Sequence, residues 1–571
     1  MDRLRSVWGT VVTKVKSWEK TELNASQIRD PVFGNLLTIT IAEVAAYRII
    51  TQDVRVGALP SYMPYLLITL VAMVEAILAP IVSWFGYRTR KKMLLAWSLA
   101  LILTSFVWFV LPRPDSIEES EFCNRFVRNP TITYTGLSAR TAVRLLVTIV
   151  AAIGFCLSRA ATWSHYIAYS DEYAPQRTSV HFGILVISRV IPLMFGYKML
   201  TLIVEQTVLL KILIITISTV VNGLRIHFSV PKGIPKVAEG VNVPSMVDRG
   251  FFQSLTRVLC NLVAMTQMMA MGLLTAAFWG FGYHEEEVAK TNYNVLPVAS
   301  NVNNHTEYFR YFLAIVSVVY VGVKHSEPIR KEYEIQRGLK QVIKMTIIAA
   351  VMYIIIVMVP PCKKGQVAGF ENSNRYVHPT CSLPCGCVPR WREFSPVCVV
   401  DTMTTYMSPC EAGCVGTDNI ANLQVYTNCS CSVLGRAVPG ACSDYNCSHG
   451  YNFHLAVYTI IITVSVLAFQ SQGMVILKSV DPRDKSVAMG VMWSVIAIVA
   501  FVFGHNIYYF IALKSCAWLT GERCQVFNDR FPYFVGYTSA ILAFISVSVN
   551  FITKGYIRFK EKHSVPQSDE E

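Results

Sequence analysis

Past residue 33 the chain alternates between long apolar runs and short polar ones. The runs fall at 34–50, 64–85, 93–112, 141–168, 179–203, 208–228, 258–281, 308–323, 342–360, 454–477, 487–511 and 532–553. Most approach the roughly 20 residues that carry a helix through the hydrocarbon of a bilayer, so the pattern predicts twelve transmembrane helices. The first and eighth runs are the shortest, at about 16 to 17 residues, against a spanning range that starts near 17. Residues 1–33 are polar and amphipathic, with no apolar region leading to a cleavage site, which predicts a retained, cytosolic amino terminus.

Lys and Arg near span ends stay on the cytosolic side, so charge tests the topology independently of hydropathy. With both termini inside, about 29 Lys and Arg fall in the termini and inner loops against about 9 in the short outer loops. The runs Arg88-Thr89-Arg90-Lys91-Lys92 and Arg330-Lys331 then face the cytosol. The expected organisation is a cytosolic segment 1–33, a first transmembrane half 34–228, a cytosolic linker 229–257, a second half 258–553 and a cytosolic tail 554–571. Residues 361–453, between spans nine and ten, form a large extracellular loop.

Composition agrees with this layout. Only 15% of the 571 residues are charged and 53% are hydrophobic, whereas a soluble domain carries about 25% charge. Mean hydropathy is +0.41. A disordered chain is excluded and a soluble enzyme disfavoured. The net charge of +14 lies in short runs between apolar stretches and on no single polar face, so the expected partner is the lipid bilayer and not nucleic acid. Phosphate-cradling Gly-rich loops, HExxH and GxSxG are absent, and no soluble segment is long enough for a nucleotide-binding domain. The expectation is therefore no enzyme, no cofactor, no metal, and work driven by gradients.

Of sixteen cysteines, eleven lie between Cys362 and Cys447. That density in about 90 residues reads as a disulfide framework in an oxidising compartment. Zinc is the weaker alternative, because the stretch holds only His378, His449 and His454 as histidines. Sequons at Asn304, Asn428 and Asn446 fall in expected outer loops and Asn24 falls inside. Cys516 and Cys524 share the last outer loop as a candidate extra pair, and Cys362 leaves the large loop with an odd number.

The runs Ser395-Pro396-Val397-Cys398, Thr405-Tyr406-Met407-Ser408-Pro409-Cys410-Glu411-Ala412-Gly413-Cys414 and Asn428-Cys429-Ser430-Cys431 resemble the Kazal-like domain of organic anion transporting polypeptides, a family of the major facilitator superfamily. The ten cysteines Cys381, Cys385, Cys387, Cys398, Cys410, Cys414, Cys429, Cys431, Cys442 and Cys447 match its order. Tyr169-Ser170-Asp171-Glu172 resembles the family's run after span four. Leu477-Lys478-Ser479-Val480-Asp481-Pro482 with Lys485-Ser486-Val487-Ala488-Met489-Gly490 resembles its connection between spans ten and eleven.

The chain also departs from the family. Leu209-Leu210-Lys211-Ile212 stands where a tryptophan-rich signature is usual, Tyr87 replaces the acidic residue after span two, Arg113 replaces a histidine after Leu111-Pro112, and Ala497 stands near the place of an arginine. The resemblance implies an all-α polytopic fold of two six-helix halves with a small disulfide-rich Kazal-like extracellular domain. It also implies a multi-pass plasma-membrane protein that moves amphipathic organic anions such as steroid conjugates, independently of sodium and by anion exchange.

Charges inside spans cost about 2.5–3.5 kcal/mol to insert and mark cavities or partners. Arg48, Arg144, Arg159, Arg189, Lys198, Lys211 and Arg310 stand against Glu43, Glu75 and Glu205, a cationic excess that suits an anionic substrate. The candidate substrate residues are Arg159 and Arg189, with Arg48, Arg55 and Arg113 toward the outer mouth. Against cavity contact stand structural pairing, as of Glu75 with Arg159, and snorkelling for Arg48, Arg144, Lys211 and Arg310 near span ends. His165 and His505, the two histidines placed inside spans, are the pH-coupling candidates. Trp279, Phe281, Tyr283, Trp493 and Tyr508 read as interfacial anchors or as stacking surfaces. Gly272 and Gly490 are candidate bending points.

The competing reading is a non-transporting surface protein whose loop binds extracellular proteins or proteases. Because an arginine does not titrate in the useful range, transport is expected to respond weakly to external pH. Arg113→His should strengthen that response, and identical pH profiles of uptake for parent and variant would remove Arg113 from the account.

Overall fold

Helices that are apolar on every side are stable where their own backbone bonds are closed and their side chains meet lipid or one another. The computed structural model of the protein describes residues 29–44, 46–47, 50, 59–60, 62–88, 122–123, 139–173, 177–205, 217, 219–225, 250–293, 301–324, 331–362, 366–369, 377–385, 387, 396–420, 423–442, 447–520 and 523–564.

Its long helices are α1 (29–44), α2 (Met63–Arg88), α3 (Ala139–Tyr173), α4 (Thr178–Glu205), α5 (Phe251–Leu259), α6 (Leu262–Tyr293), α7 (Asn301–Lys324), α8 (Lys331–Met358), α9 (Cys447–Ser479), α10 (Lys485–Ile496), α11 (His505–Lys514) and α12 (Phe531–Ser564). A π-helical stretch, Ala497–Gly504, joins α10 to α11 without a break. Among the described residues seven helices are long and apolar enough to cross a membrane: α2, α3, α6, α8, α9, the continuous α10–α11 helix and α12. The protein is a multi-pass membrane protein. Exposed Leu66, Met73 and Ile77 on α2, and Val143, Leu146 and Val150 on α3, recur at helical spacing and form lipid-facing stripes. By contrast, α9 is buried along nearly all of its apolar length and forms the interior of the bundle.

The expected run 93–112 lies outside the described residues, and of 208–228 only 217 and 219–225 are described, as helix. Two boundaries differ from expectation. A nine-residue helix, α5, stands where a linker to residue 257 was expected, because Phe251, Leu255 and Val258 recur at helical spacing, with Gln253, Ser254, Thr256 and Arg257 among them. The next helix, α6, runs on past residue 281 to Tyr293, since Glu285, Glu286 and Glu287 end the apolar run without ending the helix.

Helices before residue 250 pack directly on helices after it. A Cβ on Gly490 would lie 2.5 Å from Ser83 Oγ and 2.8 Å from the Ala79 carbonyl, so this glycine permits close approach of α10 to α2. Likewise, a Cβ on Gly473 would lie 2.1 Å from the Phe182 ring. Gly490 and Gly272, which packs on Val499, serve close packing.

The large loop is strand-rich, so the all-α description holds for the membrane region alone. Its six-stranded sheet has the order β1-β3-β2-β6-β5-β4: β1 (Gln366–Val367), β2 (Val397–Val399), β3 (Thr404–Tyr406), β4 (Gly416–Ile420), β5 (Leu423–Thr427) and β6 (Arg436–Pro439). Val397, Val399, Tyr406, Ala412, Tyr426 and Ala437 make its small core. A core this size needs covalent help, and the bridges Cys381–Cys431, Cys387–Cys410, Cys398–Cys442 and Cys414–Cys429 supply it. The connection between α11 and α12 is a hairpin of β7 (Cys516–Thr520) and β8 (Arg523–Phe527) closed by Cys516–Cys524.

The framework is wider than the ten cysteines expected to form it. Cys385 pairs with Cys123, from the connection before α3, and Cys362 is itself disulfide-bonded. The Cys123 amide donates to the Cys414 carbonyl at 2.8 Å, and Phe122 packs on Tyr426. The side chain of Cys447 lies outside the description. Cys123–Cys385 is therefore a covalent strap from the amino-terminal helices to a domain carried by the carboxy-terminal ones. Cleaving a protease site inserted at 229–249 should give two fragments that stay joined on a non-reducing denaturing gel and separate on reduction. In Cys123→Ser they should separate without reductant; fragments that separate in the parent would refute the strap.

Candidate functional site

An arginine buried among apolar helices holds its place only if carboxylates balance it. Arg159, on α3, donates from Nη1 to Glu43 Oε1 of α1 at 2.6 Å and from Nη2 to Glu75 Oε1 of α2 at 2.7 Å. Its guanidinium also stacks over the Trp493 ring of α10, 4.8 Å from the centroid. Arg189, on α4, donates to the second oxygen of Glu43 and to Thr40 Oγ1 at 3.1 Å. Two arginines thus meet two carboxylates, and the formal charge of the cluster is zero. This corrects the expected cationic excess at these residues: pairing, and not an open positive cavity, accommodates both arginines.

Burial separates the two. The side chains of Glu75 and Arg159 are 3% and 8% exposed, whereas Glu43 is 18% and Arg189 is 29% exposed. Arg189 is the accessible member, and its carboxylate partner is one that Arg159 also holds. Arg310 is buried on α7 with its guanidinium 4.7 Å from the Tyr458 ring, which replaces the expected snorkelling. Arg48, Arg55 and Arg113 lie outside the described residues, as do Asn446 and the side chain of Asn304. Asn428 is exposed, at a φ of 54°.

The pH-coupling candidates part company. His165 Nε2 is hydrogen-bonded to the Ser83 carbonyl oxygen at 3.3 Å. His505 is fully buried, stacked on Tyr65 at 4.9 Å and edge-on to Tyr283 at 4.9 Å. Tyr47 donates to the Tyr283 hydroxyl at 2.5 Å, and Asn506 donates to Thr69 Oγ1 at 3.0 Å. Together these residues tie α1 and α2 to α6 and α11 at one end of the bundle. His284 and His454 also lie in spanning helices: His284 was missed because α6 extends beyond the apolar run 258–281, and His454, the first residue of the run 454–477, was counted with the loop. Phe281, Trp493 and Tyr508 are buried, which overturns their reading as interfacial anchors. No spacing rule would have found the cluster, since each helix contributes only one or two of its rings.

At the opposite end, the two motifs that carried the family resemblance meet. Asp171 forms an ion pair with Lys485, receives Thr178 Oγ1 at 3.2 Å and lies 3.8 Å from Lys478 Nζ. Next to Lys485, Asp484 accepts both Arg257 Nε and Nη2 at 2.7 Å and the Ser254 hydroxyl. Direct hydrogen bonding to Asp484 outweighs the small cost of burial and raises the Arg257 pKa. Asn261 Nδ2 donates to the Ser479 carbonyl at 2.9 Å.

Residues 239–528 match the model of the Organic Anion Transporter Polypeptide (OATP) family. This chain belongs to that family. Its members are transporters, not enzymes. The human solute carrier organic anion transporter family member 2B1 is 33% identical over 182 residues, covering 29% of this chain and 25% of that protein. Member 74D of Drosophila melanogaster is 29% identical over 220 residues, covering 36% and 26%. Human member 1B3 is 25% identical over 325 residues, covering 51% and 44%. The matched stretches thus span from about a quarter to less than half of these relatives' lengths. The crystal structure of the human organic anion transporter MFSD10 (TETRAN) superposes with a TM-score of 0.48 at 10% identity, over 92% of this chain and 99% of that one.

Unequal burial makes the two arginines unequal in stability. Arg159→Met leaves Glu75 charged and buried, which costs about 3–5 kcal/mol. Arg189→Met leaves Glu43 on Arg159 and costs about 1 kcal/mol or less. Thermal unfolding in detergent should show a clear loss for the first, restored in part by adding Glu75→Gln, and a small loss for the second. Equal losses would refute the ranking.

Proposed function

We propose that the chain is a sodium-independent secondary transporter that carries amphipathic organic anions across the plasma membrane by alternating access and anion exchange. In this reading two six-helix halves of the major facilitator type rock about a central site, with both termini and the Asp171–Lys485 end cytosolic. The Kazal-like domain stands outside. Family membership supports the substrate class, and one observation carries the mechanism: Arg189 lies between two breakable ties that join helices before residue 250 to helices after it.

Asp171 with Lys485 is the cytosolic tie, and the Tyr47–Tyr283 and Thr69–Asn506 hydrogen bonds are the outer one. Breaking one while keeping the other would open the site to one side only. The charge cluster supplies a way to bind an anion without stranding a charge. An incoming carboxylate or sulfate displaces Glu43 from Arg189, and Glu43 remains paired with Arg159. Arginine's planar fork suits both anion types.

A hydrogen bond to a charged group is worth about 1.5–3 kcal/mol, so its loss lowers affinity roughly 10- to 100-fold. Cells expressing the chain should take up a labelled steroid sulfate saturably and equally well when sodium is replaced. Arg189→Ala, at equal surface abundance, should lose that uptake by at least tenfold. Absence of uptake for a panel of such anions despite normal surface delivery would overturn transport and favour the extracellular-binding role of residues 361–453.

A further inference from the structure

Helix α5 has two faces of different chemistry. Ser254 and Val258 are buried, and Phe251 packs on Trp84 at the end of α2 with ring centroids 5.7 Å apart. Phe252, by contrast, is 78% exposed, and Leu259 one turn pair further on is exposed on the same side. The break between α5 and α6 is only two residues, Cys260 and Asn261, and Asn261 Oδ1 accepts the Ala264 amide at 3.2 Å. Exposed Leu262 and Met269 then continue the apolar surface along the spanning helix α6. On the other flank exposed Phe85, beside Trp84, joins it to the lipid-facing stripe of α2. Gln253, Thr256 and Arg257 lie beside Phe252 and Cys260 on an open, shallow surface.

An apolar surface continuous with two lipid-facing helices, and bounded by the polar edge of Gln253 and Thr256, has the layout of a helix lying in a membrane interface. We propose that α5 lies in the headgroup and acyl boundary of the bilayer, with Phe252 and Leu259 inserted among the lipid chains. The leaflet is the one at the Asp171 end, cytosolic in the orientation proposed above. Contact with lipid is independent of the transport reading.

The position of α5 gives this contact a mechanical consequence. Ser254 and Arg257 grip Asp484, and Asn261 grips the Ser479 carbonyl, so the helix and its joint hold the α9–α10 connection at both ends. Lys478 and Lys485, on the two helices that flank that connection, are the residues that face Asp171. The lipid surface therefore bears, through α5, on the segment that ties the two sets of helices together.

The native chain carries its own probe. Cys260 is a free, exposed thiol, whereas the other free cysteine among the described residues, Cys156, is buried. A nitroxide attached to Cys260 of the full-length protein in phosphatidylcholine vesicles, with Cys260→Ser as the background control, reports its depth from collisions with oxygen and with a water-soluble nickel chelate. The expected oxygen-to-nickel collision ratio is about threefold above that of an aqueous label, as for an interfacial position. Phe252→Trp should keep that ratio and Phe252→Asp should bring it down toward the aqueous value. An aqueous ratio in the parent chain, or an unchanged ratio in a folded Phe252→Asp protein, would overturn the proposal.

Discussion

Arg159 is charged, almost wholly buried and placed between helices that offer it no water, and much of the membrane region is arranged around that constraint. Two carboxylates from two other helices close on its guanidinium, and a tryptophan from a third covers its face. Removing either carboxylate leaves positive charge unbalanced in a medium where solvation is expensive. The same pairing sets the mutual placement of α1, α2 and α3. Through Glu43 it reaches Arg189 on α4, and through Trp493 it reaches the carboxy-terminal helices. The cluster is thus a packing element that balances two arginines with two carboxylates and leaves Arg189 as its most exposed member.

Above and below this cluster the two sets of helices meet through interactions of different character. At one end they are ion pairs and charged hydrogen bonds around Asp171 and Asp484, whose geometry is specific and whose strength depends on exclusion of water. At the other they are aromatic and histidine contacts around Tyr65 and His505, which are broader and tolerate sliding. Close approach at Gly490 and Gly473 brings the helices near enough for either kind to form. A third connection is covalent. The Cys123–Cys385 bridge joins the two sets through the strand-rich domain, so any relative movement of the two sets must carry that domain with both or flex the segments on either side of the bridge.

Most helices were legible in the sequence because a spanning segment needs a long apolar run, and a window of about 20 residues detects it. What escaped were features in which a helix outlasts its apolar run or never had one. Three consecutive glutamates at Glu285, Glu286 and Glu287 ended the run but not α6, and this hid His284. A polar stretch before residue 258 hid α5. The site was legible in part: Arg159, Arg189 and Glu75 stood out as charges inside apolar runs, and Glu75 was weighed as a partner for Arg159. Glu43 stood out in the same way, but its bridging of Arg159 and Arg189 did not, because the three residues lie on three different helices.

The sequence by itself determined that this is a multi-pass membrane protein with a cysteine-dense loop, because hydropathy, charge bias and cysteine density accumulate over neighbouring residues. Only the tertiary structure decided that the buried arginines are neutralised in place, that Asp171 answers Lys485 from 314 positions away, and that Cys385 pairs with Cys123 instead of a neighbour in its own loop. Those choices depend on which faces of which helices meet. Composition and spacing leave that open, and packing in three dimensions settles it.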